Sequence, residues 1–166
     1  LHLSTTFERG ADGTYPHGYN YSRSGNPNRT SLERAIAALE HGKDAIAFAS
    51  GSAATLAVFA LTAPGGRIVC ALDCYYGTGK QLRDIVPRWG VDVEFVDVTN
   101  LTEVSHALAA PTSLLWFETP SNPLLRVADI AALVDLAHDR GTLVGVDNTF
   151  ASPVLQQPLA LGADFV

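Results

Sequence analysis

Hydrophobic residues in this chain follow two periods, and the changes between them predict the fold. Residues 1–28 show no period and are rich in Gly, Tyr, Ser, Asn and Pro, so they are expected to form an ordered arm or long loop. From residue 29 a helix is expected. Leu32, Ile36 and Leu39 share one face, Thr30 or Ser31 caps the start, and Gly42 ends it. Short apolar runs then alternate with helical spacings. Strands are expected at 45–49, 67–71, 91–96, 113–117 and 143–146, with a further one beginning at 163–166. Helices are expected at 52–61, 80–86, 102–109 and 128–140. Regular β/α alternation predicts an α/β fold, with a mainly parallel sheet covered by helices on both faces.

Composition narrows the function classes. The chain has 166 residues, 47% of them hydrophobic and 17% charged, enough apolar content for a packed core. A net charge of −6 without any Lys/Arg-rich run excludes a general nucleic-acid binder. Cys70 and Cys74 form neither a disulfide framework nor a zinc signature, and the five histidines are scattered, so no metal is expected. Two unframed cysteines point to reduced thiols and a cytoplasmic protein. The uncharged run 45–63 contains Ser50, Gly51, Ser52 and Thr55, which suits strand, turn and buried helix rather than a membrane span. The first residues lack a signal-peptide pattern. The start without Met and the apolar finish, Ala163-Asp-Phe-Val166, suggest a piece of a longer protein.

Chemistry concentrates in polar loops, most of which follow expected strands. The apolar run Leu143-Val-Gly-Val146 ends in Asp147-Asn-Thr149. Ligands of open α/β sheets bind outside the carboxyl ends of the strands. A lone acid there can cap the next turn, or it can face a buried positive charge such as a pyridinium nitrogen. The small residues of Ser50-Gly51-Ser52-Ala53-Ala54 can either pack tightly or aim backbone N–H groups at an anion. Tyr75, in Asp73-Cys-Tyr-Tyr76, can lie in a plain turn or stack on a flat ligand and shuttle protons. Two prolines make Glu118-Thr-Pro-Ser-Asn122-Pro123 a rigid turn that can present Asn122 and Glu118. Arg23 beside Tyr21, in the arm, is a surface arginine or a phosphate clamp.

The motifs Tyr21-Ser-Arg23-Ser-Gly-Asn-Pro27, Ala49-Ser-Gly-Ser-Ala-Ala54, Asp73-Cys-Tyr75, Glu118-Thr-Pro-Ser-Asn-Pro123 and Val146-Asp-Asn-Thr-Phe150 run in order across nearly the whole chain. As a set, the chain resembles the Cys/Met-metabolism PLP-dependent enzymes, the group of cystathionine γ-synthase and cystathionine γ-lyase. The resemblance implies a fold-type I PLP-dependent transferase. It implies the cofactor pyridoxal 5'-phosphate (PLP) and γ-elimination or γ-replacement on sulfur amino acids or activated homoserine. Asp147 would pair with the pyridine nitrogen, with Thr149 beside it. Tyr75 would stack on the ring and act as an acid–base group. Gly51 and Ser52, with Ser50, would hold the phosphate. Tyr21 and Arg23 would bind the phosphate in a neighbouring subunit, which implies a homodimer with shared sites and a homotetramer. Asn122 would lie near the ring hydroxyl and the substrate carboxylate, and Lys80 near the far end of the substrate. Methionine γ-lyases usually carry a Cys where this chain has Gly77.

By the same resemblance, residues 1–28 are the N-terminal arm and 29–166 the PLP-binding large domain, cut before the Schiff-base lysine and without the small C-terminal domain. The two lysines present, Lys43 and Lys80, match no such position. The segment alone is therefore expected to be inactive. The rival expectation is a degenerate or non-catalytic α/β module that binds a phosphate or cofactor.

Overall fold

In the computed structural model, which describes residues 1–166, four parallel strands form one sheet in the order β2-β1-β3-β4. These are β1 (Arg67–Ala71), β2 (Asp92–Val96), β3 (Leu114–Glu118) and β4 (Leu143–Asp147). Phe165 begins a further pairing with a parallel bridge to Gly145. By contact the chain divides into two compact units, Leu1–Ala47 and Phe48–Val166.

The larger unit follows from side-chain alternation. Val69, Ala71, Leu115, Phe117, Val144 and Val146 face one way. They pack with Val104, Ile130 and Leu133 of α4 (Leu101–Ala107) and α5 (Ile130–His138). Their neighbours Ile68, Cys70, Leu114 and Trp116 face the other way. These meet Phe59 of α2 (Gly51–Phe59) and Leu82 of α3 (Tyr76–Asp84). The sheet is thus covered on both faces, as expected of buried parallel strands.

Chain order matters for the site. From β1 the chain passes through α3 to β2 on one side, then through α4 to β3 on the other side of β1. The direction of winding changes between β1 and β3. Outside the carboxyl ends at such a switch point the crossing loops part and leave a crevice.

Gly145 makes room for a core aromatic. It stands in register with Trp116, and a Cβ added to it would lie 2.5 Å from Trp116 Cε3 and 2.7 Å from Cζ3. The indole is also packed edge-on against Phe59, with ring centroids 5.2 Å apart, so it has little freedom to move away. Gly145→Ala is therefore expected to destabilise the fold by about 1–3 kcal/mol through overpacking. Chemical denaturation would measure this, and a change near zero would show that the indole can yield.

Three sequence expectations are corrected. Residues 45–49 form no strand. Their alternation of Ala with Ile and Phe mimics one, but Ile46 is exposed and the Ala47 N–H bonds to the Glu33 carboxylate rather than to a neighbouring strand. The first helix, α1 (Pro27–Leu39), starts earlier than expected, because Asn26 accepts the Asn28 N–H and Pro27 occupies the first turn. Its apolar positions Leu32, Ile36 and Leu39 remain exposed. Finally, α3 begins at Tyr76 rather than at residue 80. A short helix, α6 (Ser152–Leu155), follows the Asp147 turn. No helix is long and apolar enough to cross a membrane.

Candidate active site

Four stretches converge at the carboxyl edge of the sheet, and three of them follow its strands. Asp147 ends β4 and is half-buried. Its Oδ1 accepts the Thr149 N–H at 3.1 Å and the Thr149 hydroxyl at 2.6 Å. No hydrogen bond falls on Oδ2. One oxygen therefore caps the turn, as one reading of a lone acid at a strand end expects, while the other stays available.

Glu118 ends β3 directly beside Asp147 in the register. It is 5% exposed, and its Oε2 accepts the Tyr75 N–H at 2.7 Å. Burial pushes its carboxyl up to about 7, helped by the charges of Asp147 and Asp73, while the Tyr75 and Asn122 N–H groups pull it down. A raised carboxyl makes the fold less stable as pH rises from the ordinary Glu range through about 7, because the unfolded chain releases that proton first.

Tyr75 precedes α3 with its side chain 45% exposed. Gly77 lies against it: a Cβ there would sit 2.6 Å from Tyr75 Cε1 and 3.5 Å from Ser52 Oγ. That one point places the Tyr75 ring close to the first turn of α2. Gln81 locks the two helices together by donating to the Ser52 carbonyl at 2.7 Å. A residue larger than glycine at this position would have to displace the ring.

The N-terminus of α2 suits an anion. Ser50 caps it by accepting the Ala53 N–H at 3.2 Å. The Gly51 and Ser52 N–H groups take part in no hydrogen bond within the protein. A Cβ on Gly51 would meet nothing within 4 Å, so its Cα faces open space. Unpaired N–H groups at the positive end of a helix are ready donors to phosphate. Contrary to expectation, this loop does not follow a strand, because residues 45–49 form none.

The rigid turn after β3 is tied down at several points. The Ala128 N–H donates to Thr119 Oγ1 and the Arg126 N–H to Ser121 Oγ, and Gln156 Nε2 donates to the Thr119 carbonyl. Asn122 is thereby held at the same edge, half-buried. Arg126 was not anticipated. Its guanidinium bonds both Asp97 oxygens and approaches Asp73 Oδ2 at 3.9 Å, joining the loops after β1, β2 and β3.

The remaining expected residues make other contacts. Lys80 donates to Asp84 at 2.6 Å on the outside of α3. Tyr21 and Arg23 belong to the smaller unit, where Tyr21 bridges to Thr6 and the Arg23 guanidinium lies over the Tyr21 ring, 5.1 Å from its centroid. Lys43 lies in that unit too. Sequence reasoning passed over Glu118 as a structural partner of Tyr75, and over Gly77 as the space beneath its ring. A lone acid closing an apolar strand was the available signal for Glu118, as it was for Asp147.

An open glycine at a helix N-terminus, two free N–H groups, a semi-exposed aromatic face and an unpartnered carboxylate oxygen fit one kind of ligand. It carries a phosphate, a flat ring and a protonated ring nitrogen, as pyridoxal phosphate does. The sequence profile of the family described as Cys/Met metabolism PLP-dependent enzyme matches residues 1–166, and the chain belongs to that family. Among its relatives, cystathionine gamma-lyase of Macaca fascicularis is 46% identical over 99% of this chain and 40% of its own. Cystathionine gamma-synthase of Mycobacterium bovis is 46% identical over 100% of this chain and 43% of its own. The solved cystathionine gamma-lyase of Micromonospora echinospora superposes with a TM-score of 0.91 at 48% identity, covering 98% of this chain and 43% of that one. The chain thus spans about two fifths of the length of the relatives it matches. Its fold is the α/β fold of the PLP-dependent cystathionine lyases and synthases, and pyridoxal phosphate is the cofactor of its family.

Proposed function

We propose that the protein carrying this chain is an enzyme that performs PLP-dependent γ-elimination or γ-replacement on a sulfur amino acid or an activated homoserine. The observation that carries the reading is Asp147, whose free Oδ2 stands at the carboxyl edge of the sheet beside Glu118. The names of the relatives support an enzyme over a non-catalytic binding module. When bound, the cofactor supplies an electron sink for charge that develops on the substrate carbon.

The chain's own residues divide the remaining work. Asp147 Oδ2 holds the proton on the ring nitrogen, and so keeps the sink at full strength. The Gly51 and Ser52 N–H groups, with Ser50, bind the phosphate. The Tyr75 ring covers one face and keeps water from it, and its hydroxyl carries protons to and from the substrate. Asn122, on its tied turn, orients the ring hydroxyl and the substrate carboxylate. Thr149 fixes the Asp147 side chain through its two bonds to Oδ1. Lys80 serves the far end of the substrate once released from Asp84. The family resemblance supports a cytoplasmic homotetramer built from dimers that share active sites, with Tyr21 and Arg23 of each subunit serving the phosphate in its partner.

The test is direct assay of the whole protein with cystathionine, and with an O-acylated homoserine plus cysteine. Formation of an α-keto acid and free thiol, or of cystathionine, is the expected result. Absence of both reactions in cofactor-loaded protein refutes the proposal.

The shared site makes a separate prediction. Arg23→Ala and Asp147→Ala proteins, each nearly inactive, are expected to recover activity when mixed as dimers, because one of the two sites then carries neither change. Verified mixed dimers without recovered activity would place Arg23 in its own subunit's site.

A further inference from the structure

No side chain of Tyr75 caps α3, although Tyr75 opens it. Backbone N–H groups at a helix start need an acceptor from elsewhere. Here it comes from another strand: Glu118, 43 residues away, accepts the Tyr75 N–H on Oε2 at 2.7 Å. A carboxyl buried at the end of a strand of Leu, Leu, Trp and Phe is costly, and an apolar residue would avoid that cost. The contact also joins two elements of the site, because Glu118 pairs in register with Asp147.

We propose that Glu118 is a positioning residue of this site: its carboxyl fixes the backbone of Tyr75 and ties it, through adjoining strands, to Asp147. The proposal rests on the reading of Tyr75 as the residue against the cofactor ring and Asp147 as the partner of its nitrogen. Tyr75 then has two fixed points. Glu118 holds its amide, and Gly77 admits its ring so closely that a Cβ would lie 2.6 Å from Cε1. Neither point alone sets the ring, since the amide leaves the side chain free to turn and the glycine leaves the backbone free to shift.

The groups facing the Glu118 carboxyl come from every neighbouring element. They are Asp147 on β4, Asp73, Cys74 and the Tyr75 N–H after β1, and the Asn122 N–H on the following turn, with Arg126 beyond Asp73. An ionised acceptor makes the stronger hydrogen bond. The grip on Tyr75 therefore tightens as pH rises through about 7, where this carboxyl loses its proton.

The test uses the whole protein, with and without pyridoxal phosphate, and follows hydrogen exchange at the Tyr75 amide. Glu118→Ala is expected to speed that exchange by about tenfold or more, whereas Glu118→Gln, which keeps a carbonyl acceptor, stays within about threefold of native. The circular dichroism of the bound cofactor, which reads the aromatic ring against it, falls in Glu118→Ala and returns in Glu118→Gln. The native Tyr75 amide shift titrates near pH 7, and in Glu118→Gln that titration is gone. Unchanged exchange in a folded Glu118→Ala protein overturns the proposal. So does equal loss of dichroism in both variants with native Tyr75 exchange, which would mean that Glu118 touches the cofactor itself. If the Ala variant does not fold, the Gln variant decides: a surviving titration near pH 7 overturns the proposal, and its loss supports it. Asp147→Asn separates the two claims. Native cofactor binding and turnover in that variant would overturn the cofactor reading while leaving the grip of Glu118 on Tyr75 as measured.

Discussion

Asp147→Ala is expected to abolish turnover by the whole protein, with a loss of at least about a thousandfold, while the fold persists. The two oxygens of this side chain have separate tasks. Oδ1 caps the turn through Thr149, and removing that cap costs on the order of 1 kcal/mol of stability. Oδ2 carries the functional claim. Asp147→Asn isolates it, because the amide oxygen still accepts from Thr149 but the negative charge that keeps a ring nitrogen protonated is gone. Turnover is therefore expected to collapse in both variants, while thermal stability falls only in the Ala variant. Activity within about tenfold of native in Asp147→Asn would mean that the residue is only a cap.

Phe59→Ala is expected to produce the largest loss of stability, about 3–5 kcal/mol, measured by chemical denaturation of the apoprotein. Phe59 is fully buried and meets Trp116 edge-on, among Ile68, Leu82, Val86 and Leu114. It anchors the far end of α2 to the sheet, and the near end of α2 presents the Gly51 and Ser52 N–H groups. The consequence reaches the site as well. A helix no longer seated on Trp116 loses the fixed aim of its first turn, so affinity for the cofactor phosphate is expected to fall along with stability. Phe59→Leu fills most of the cavity and is expected to cost less than about 2 kcal/mol, with little change in affinity. A loss below about 1 kcal/mol in Phe59→Ala would show that the cluster closes over the gap and that Phe59 is no anchor.

What was legible in the sequence follows from what local pattern can encode. Apolar runs ending in one polar residue marked β3 and β4, and with them Glu118 and Asp147. Small residues around Gly51 marked a helix start with exposed N–H groups. Residues 45–49 show the limit. Alternation tells which face of a strand would be buried, but not whether a neighbouring strand exists, and Ile46 is left exposed. The start of α3 shows the same limit from another side. No residue near Tyr75 announces a helix there, because the acceptor that satisfies its amide is Glu118, distant in sequence and brought close only by the pairing of β1 with β3. Gly77 and Gly145 read as turn and strand residues, and their use as space for Tyr75 and Trp116 depends on register and helix packing. Asn26-Pro27 carries the signal of a helix start, an Asn cap followed by Pro in the first turn, but it lies inside the polar stretch expected to form the arm.

This sheet edge is expected to hold pyridoxal phosphate with its nitrogen on Asp147 and its phosphate on α2. A crystal structure of the whole protein with the cofactor tests it most directly. The expected result is the ring nitrogen within hydrogen-bond distance of Asp147 Oδ2, the Tyr75 ring stacked on the pyridine, and the phosphate on the Gly51 and Ser52 N–H groups. A cofactor bound elsewhere, or one at this edge with Asp147 turned away from its nitrogen, would contradict it.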